Sequence, residues 1–474
     1  MSRVGLLLLA AAVAACQAAH APAAPTATAA PPAISTPRPP TPEPNVSPTP
    51  SDPPLPAPTA SPAPTATAAA PTSSPVVDDP RTLGWQTDLH TLISAREAVH
   101  PNPWFGIPRD EYVAAVESVV AQVPDLDDDQ LLVEIARLAA MPTWMGRDGH
   151  GGIFPWVETG LDLHAYPLRL YWFSDGLFVV DALPPYEHLV GSRVDEIAGH
   201  AIADVQAAVE PLLPRDNDQN LISLSPRLLV MPEILRGLGL VEDATAATDF
   251  VLTTDDESSA VPIDPVTLED FRAWHTGFHA LGPPIRPNGP LWLQNVERSA
   301  WWEVIPGTST AYVGYNLVDG QSYIVASQLS SAMDAGEFDR LVVDLRHNPG
   351  GDNTTYGAFL SLVQRAAEEL PGGVAMAIGR VTFSAAGNFS SEIERTTDAV
   401  FVGEDLGASP NLYGDTVTTT LSHSGLSFRV AARYWEKSTA DDPRITIEPD
   451  IEVLLSSADY FADRDPVLEA ILAE

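Results

Sequence analysis

Ser384 stands in Thr382-Phe383-Ser384-Ala385-Ala386, between a strand-like run at 374–378 and a helix-like run at 385–395. A hydroxyl placed there sits at a helix N-terminus, where the positive end of the dipole and the Ala385 amide favour developing negative charge. That is half of what acyl transfer through a serine needs. The other half is a base, because a serine hydroxyl alone is a poor nucleophile. Taken in isolation, Thr-x-Ser is more often a helix cap. Upstream, Asp344-Leu345-Arg346-His347-Asn348-Pro349-Gly350-Gly351 ends an apolar strand in a diglycine turn. Paired glycines leave backbone N–H groups free to face a ligand, as an oxyanion site requires, although such a sequence alone usually marks only a turn. Met145-Gly146-Arg147-Asp148-Gly149-His150-Gly151-Gly152 holds four glycines in eight residues, the composition of a tight loop. His275 and His279 lie four apart, but no Glu stands between them and Gly277 does, so the pair lacks the pattern of a zinc helix. His347 adjoins the diglycine turn, and Trp301-Trp302 reads as core.

As a set, these segments resemble the tail-specific peptidase superfamily, which includes the C-terminal-processing peptidases and the tricorn protease. Residues 344–351 match its strand-then-diglycine signature. Residues 382–386 match its nucleophile turn in order and separation, and Ile447-Glu448-Pro449-Asp450-Ile451-Glu452-Val453 matches its closing Pro-Asp-Ile strand. Asp463-Arg464-Asp465-Pro466-Val467-Leu468 and the helix after it extend the likeness, which runs from about His100 to the end. The resemblance implies an α/β fold with a ClpP/crotonase-like core sheet and flanking helices, an N-terminal helical segment and an inserted PDZ-like β-rich module. It also implies a serine endopeptidase acting on peptides or proteins, with Ser384 as nucleophile and the amides of Gly350 or Gly351 and of Ala385 as the oxyanion site.

The C-terminal-processing branch takes its base from a lysine, and the matching stretch here, 407–411, has none; Lys437 is the only lysine in the chain and lies too far along. The tricorn-like branch uses a histidine from a loop ahead of the PDZ-like module, and Asp148-Gly149-His150-Gly151 matches it. His150 is therefore the expected general base, with an ordinary pKa near 6.5 suited to proton exchange around neutrality. The branch's orienting acid falls at Glu436, Asp441 or Asp442. Asp442 fits best by spacing and Glu436 offers the longer reach. The hydroxyl that usually adjoins the histidine is missing, since Gly149 and Gly151 flank it. Such chemistry needs no metal or cofactor. Two competing readings are a catalytically inert peptide- or lipid-binding member and an esterase on the same machinery.

Positioning these groups falls to a chain with several regions. Residues 85–99, 109–122 and 127–140 carry apolar residues at helical spacing, within a helical region at 79–160 that bears the histidine loop. Residues 161–305 hold short β runs at 168–173 and 177–181, a segment 191–199, and a helix at 202–209; this order loosely resembles a PDZ module. A helix at 228–238, a strand at 249–253 and a helix at 268–275 follow. Residues 306–474 alternate strands, at 341–345, 374–378 and 400–403, with helices, and add a hairpin over 417–432. Such alternation implies a sheet covered on both faces.

Ahead of all this, Arg3, an apolar run over 4–13 and Ala14-Ala15-Cys16 read as a signal peptide that ends in a lipobox-like site. Cys16 is the only cysteine, so no disulfide can form within the chain, and its place points to lipidation. Residues 17–75 contain 19 prolines and only three charged residues, Arg38, Glu43 and Asp52, a composition that buries no core. The segment 17–78 reads as a tether, of which residues 17–75 reach at most ~180 Å when extended. The expectation is an extracytoplasmic protein anchored to the cell membrane through its lipid. A net charge of −38 argues against nucleic acid and against adhesion to anionic lipid by charge.

Overall fold

The computed structural model describes residues 79–157, 159–274, 283–286 and 288–474. The expected signal peptide, Cys16 and the proline-rich segment lie outside it, as do His275 and His279. Three helices open the described chain: α1 (Pro80–Val99), α2 (Arg109–Gln122) and α3 (Asp128–Ala140). The first starts five residues before its apolar pattern because Asp79 caps it and Pro80 takes the first helical position, where a missing N–H costs nothing. The third begins in a full capping box, with Asp127 bonded to the Gln130 amide and the Gln130 side chain bonded back. One carboxylate of α1, Asp88, is fully buried and accepts from the amides of His423 (3.0 Å) and Ser424 (2.8 Å) and the Ser424 hydroxyl (2.7 Å). It thereby ties the helical region to the tip of a distant hairpin.

After β1 (Gly152–Ile153) comes a β-rich module: β2 (His164–Ala165), β3 (Leu168–Phe173), β4 (Gly176–Ala182), β5 (Arg193–Ile197), β6 (His200–Ala201), α4 (Ile202–Val209), α5 (Asp218–Leu229), α6 (Pro232–Gly237), β7 (Thr248–Thr254), β8 (Glu257–Ile263), β9 (Val266–Thr267) and α7 (Leu268–Trp274). Its main sheet is antiparallel in the order β3-β4-β5-β7-β8, with β6 on β5, and β2 pairs with β9 apart from it. The single helix expected over 228–238 is two. Asn217 caps α5, which holds Pro226 inside it and ends at Leu229, and Pro232 opens α6 at the first helical position, where a missing N–H costs nothing.

The remaining chain builds a six-stranded sheet from β10 (Ala300–Val304), β11 (Thr310–Tyr315), β12 (Arg340–Asp344), β13 (Val374–Ile378), β14 (Val400–Gly403) and, at its edge, β17 (Ile451–Glu452). All pairings are parallel except that of β10 with β11. Helices α8 (Ser322–Asp334), α9 (Gly357–Glu369) and α10 (Ser384–Thr396) connect the parallel strands and share one core. Side chains alternate between the faces. Leu341, Val343, Met376 and Ile378 enter that core, while Val342, Ala375 and Ala377 pack on the other side against Val467 and Ile471 of the last helix, α12 (Pro466–Ala473), which follows α11 (Ser457–Phe461). Of the Trp301-Trp302 pair expected as core, Trp301 is buried and Trp302 is half-buried against the helix-side core. A long hairpin, β15 (Asn411–Thr420) with β16 (Ser427–Glu436), pairs with β1 to make a separate three-stranded sheet. It extends beyond the expected 417–432 at both ends. The diglycine turn follows β12 and the Ser384 turn follows β13, so both lie at the carboxyl ends of adjacent parallel strands, where open α/β sheets bind ligands.

Candidate active site

Two buried side chains lock these turns together. Thr382 donates its hydroxyl to the Leu345 carbonyl (2.9 Å) and accepts from the Gly379 amide (3.2 Å). Asn348 donates to the Tyr315 carbonyl (2.8 Å), and its backbone carbonyl accepts from the Phe383 amide (3.1 Å). Beneath the turn, Arg346 is held by Asp344 and by Asp465, the cap of α12, which gives the Asp344-Leu345-Arg346 and Asp463–Asp465 segments a structural reason for their spacing.

The glycines are required by contact. A Cβ on Gly350 would lie 2.5 Å from Ser384 Cβ, and one on Gly351 would lie 2.0 Å from the Val318 carbonyl oxygen; their φ values are +110° and +137°. The two are not equivalent as oxyanion donors. The Gly350 N–H is engaged by Asn348 Oδ1 at 3.0 Å, which removes it from the alternatives left by the sequence. The N–H groups of Gly351 and Ala385 have no protein acceptor among the described residues.

Ser384 is the first residue of α10, and its side chain caps nothing; the cap position belongs to Phe383. Its φ of +52° places a non-glycine residue in the left-handed region, at a cost of about 1–3 kcal/mol, in the manner of a nucleophile held on a sharp strand-to-helix turn. A consequence is that Ser384→Gly should be more stable than Ser384→Ala by about 1 kcal/mol, because only glycine adopts that φ without penalty. Equal midpoints in urea denaturation would show that the turn carries no strain.

His150 stacks on Phe383, the residue before Ser384, with ring centroids 4.5 Å apart. The residue is half-buried, but both ring nitrogens are shut off from solvent and bond to nothing. Burial pushes its pKa down to about 4, although the Asp148 charge and the Tyr413 carbonyl favour the protonated form and oppose it; Arg429 adds to the lowering. The Tyr413 carbonyl faces the ring without completing a hydrogen bond to it. The imidazole is thus neutral at neutral pH, with a free lone pair, and stacks on the residue before Ser384.

The loop that carries it is fixed by Arg96, His100 and Asp216, to which the sequence did not point. Asp148, fully buried, places Oδ2 3.2 Å from Arg96 Nη2 and 3.3 Å from His100 Nε2, both from the end of α1. Its Oδ1 has no partner, and a Cβ on Gly151 would come within 3.1 Å of it. Asp216, also fully buried, accepts from the amides of Gly149 (2.6 Å) and Ser409 (3.0 Å). Burial, helped by the nearby Asp148, raises its pKa to about 7 against the pull of those two amides. An Asp-Asn pair between two leucine-rich stretches carries no sequence signal for this role.

The expected acids are placed otherwise. Both Asp442 oxygens are taken up, by Arg444 at 2.8–3.2 Å and by the Ser438 hydroxyl at 2.5 Å, and the Arg444 bonds hold its carboxyl well below the usual range. Its backbone carbonyl, not its carboxylate, reaches the histidine loop, through Arg147 Nη2 at 2.8 Å. Glu436 and Asp441 are exposed. None of the three bonds to either His150 nitrogen. Lys437 pairs with Glu392, two turns along α10 from Ser384. His347 stacks on Trp292 with centroids 5.2 Å apart.

The fold is that of the solved protein CPAF. Among solved structures, the chain is similar to mature CPAF complexed with lactacystin, at a TM-score of 0.56 and 12% identity over 83% of this chain and 98% of that one. A mutant of CPAF gives 0.58 and 12%, over 83% and 96%. The photosystem II D1 C-terminal processing protease is a more distant likeness, at 0.38 and 13% over 82% and 96%. No family model and no curated protein matches the sequence.

Proposed function

We propose that the chain is an exported, membrane-anchored serine endopeptidase. Ser384 attacks a peptide carbonyl, His150 takes the hydroxyl proton and returns it to the leaving amine, and the Gly351 and Ala385 amides hold the oxyanion. Water then releases the acyl group by the same steps in reverse. The observation that carries this reading is the meeting of three independent segments at one point: a strained serine on a helix N-terminus, a glycine turn packed onto its Cβ, and an unbonded neutral imidazole on the neighbouring ring. Asp148 is the acid of the relay in this reading, in place of Glu436, Asp441 or Asp442, because its charge is the one that favours protonated His150. It acts through the loop and through space, as no bond joins it to the ring.

The β-rich module fits a PDZ-like peptide-docking role in that β3 is an edge strand with α5 packed beside it. Hydrolysis of internally quenched peptides by the full chain, lost in Ser384→Ala, tests the activity; cleavage of small esters but of no peptide would make it an esterase instead. For the anchor, Cys16→Ser should move the protein from the membrane to the soluble fraction of its native cell, and unchanged fractionation would remove the lipid from the account.

A further inference from the structure

One face of β16 runs against the composition of the whole chain. Acidic residues outnumber basic ones 63 to 25, yet Arg429, Arg433 and Lys437 recur at intervals of four, which in a strand puts the first two on one face and continues that row just past its end. Trp435 shares the face. It lies between Arg433, whose guanidinium sits 4.5 Å from its ring centre, and Lys437, at 5.5 Å. This is the face beside the imidazole. Arg433 pairs directly with Gly414 of β15, and a Cβ on Gly414 would point at Trp435 Cδ1 (3.4 Å) and His150 Cε1 (3.6 Å). A glycine inside a strand commonly marks such a close approach. Arg429 lies near enough to act on His150 electrostatically.

Of these cations, Lys437 is neutralised by an acid and Arg433 is not. Glu392 engages Lys437, and Asp415 reaches Arg433 only at 3.5 Å across a half-exposed pair, which is worth little in water. The Trp435 Nε1–H is buried and unbonded, a third unsatisfied polar atom next to the two nitrogens of His150. Cations, an indole donor and an open strand face beside the reacting centre match an extended peptide bearing carboxylate side chains.

We propose that this face of β15 and β16 recognises acidic residues of a peptide substrate close to the bond that Ser384 attacks, with Arg433 as the principal contact. The inference rests on the peptidase reading of Ser384 for its catalytic half only, so binding and cleavage are measured separately. Two fluorescent peptides differing only in Glu against Gln near the scissile bond are titrated into full-length Ser384→Ala protein by anisotropy, at low and high salt. The acidic peptide should bind about tenfold tighter at low salt, and the gap should shrink as salt screens it. Arg433→Gln should bring the ratio towards one, and Arg433→Glu should turn the preference towards a Lys peptide. Equal affinity for the Glu and Gln peptides, or a ratio untouched by either Arg433 variant, overturns the proposal. Acid-selective binding without cleavage by the unmutated chain would uphold this inference and strike down the peptidase reading instead.

Discussion

Replacing His150 with alanine is expected to lower kcat/KM for peptide hydrolysis by roughly a thousandfold, the size of a lost general base, while the protein stays folded. No other described base is placed to substitute: Lys437 is tied to Glu392, and His100 is committed to the Asp148 cluster. The pH profile separates loss of a base from loss of structure. With the folded pKa pushed down to about 4, His150 remains neutral through mildly acid solution, so the acid limb of kcat/KM should fall near 4 and not near the ordinary 6.5. The same shift acts on stability. The unfolded chain binds the proton below about 6.5 while the folded chain does not, so this contribution is complete above pH 6.5 and is lost as pH falls towards 4. Asp148→Asn removes a charge that favours the protonated ring and should move the limb to still lower pH. An acid limb near 6.5, unmoved by Asp148→Asn, would mean that another group sets the rate.

Gly350→Ala should abolish measurable hydrolysis, though the mutated atom belongs to no reacting group. The added methyl would meet Ser384 Cβ at 2.5 Å, the Ala385 nitrogen at 2.9 Å and the Phe383 carbonyl at 3.0 Å, at a φ of +110° that alanine rarely adopts. Two of those atoms are backbone and cannot swing aside, so either the diglycine turn or the start of α10 must move. A loss of about 2–3 kcal/mol in stability should accompany the inactivation. Gly357→Ala provides the control, since a Cβ there has open space and the position begins α9. It should leave activity unchanged and stability equal or slightly higher. Retained activity in Gly350→Ala would show that the turn does not pack on the nucleophile as described.

Much of this architecture was legible in the chain because local pattern and tertiary role agree. The apolar run expected as a strand at 341–345 is one at 340–344, that at 374–378 is a strand to the residue, both buried on both faces, and the 109–122 periodicity is a helix with those very limits. The diglycine and Ser384 turns were legible for the same reason: glycines and a strand-to-helix junction leave marks in sequence. Which partner each polar group takes was not. Nothing local says that Asn348 would occupy the Gly350 amide, or that Asp442 would turn its carboxylate to Arg444, which follows it by two residues and bridges to Glu394 on α10. The role of Asp148 was hidden differently. Its partners Arg96 and His100 lie some fifty residues away in sequence, and only folding brings them to it.

The central claim is that Ser384 is a nucleophile activated by His150, and covalent labelling measures it most directly. The full chain is treated with a fluorophosphonate and the modified residue is located by mass spectrometry. The expected result is a single adduct on Ser384, absent in Ser384→Ala and formed much more slowly in His150→Ala. A folded protein that takes up no label, or takes it up on another residue, would contradict the account.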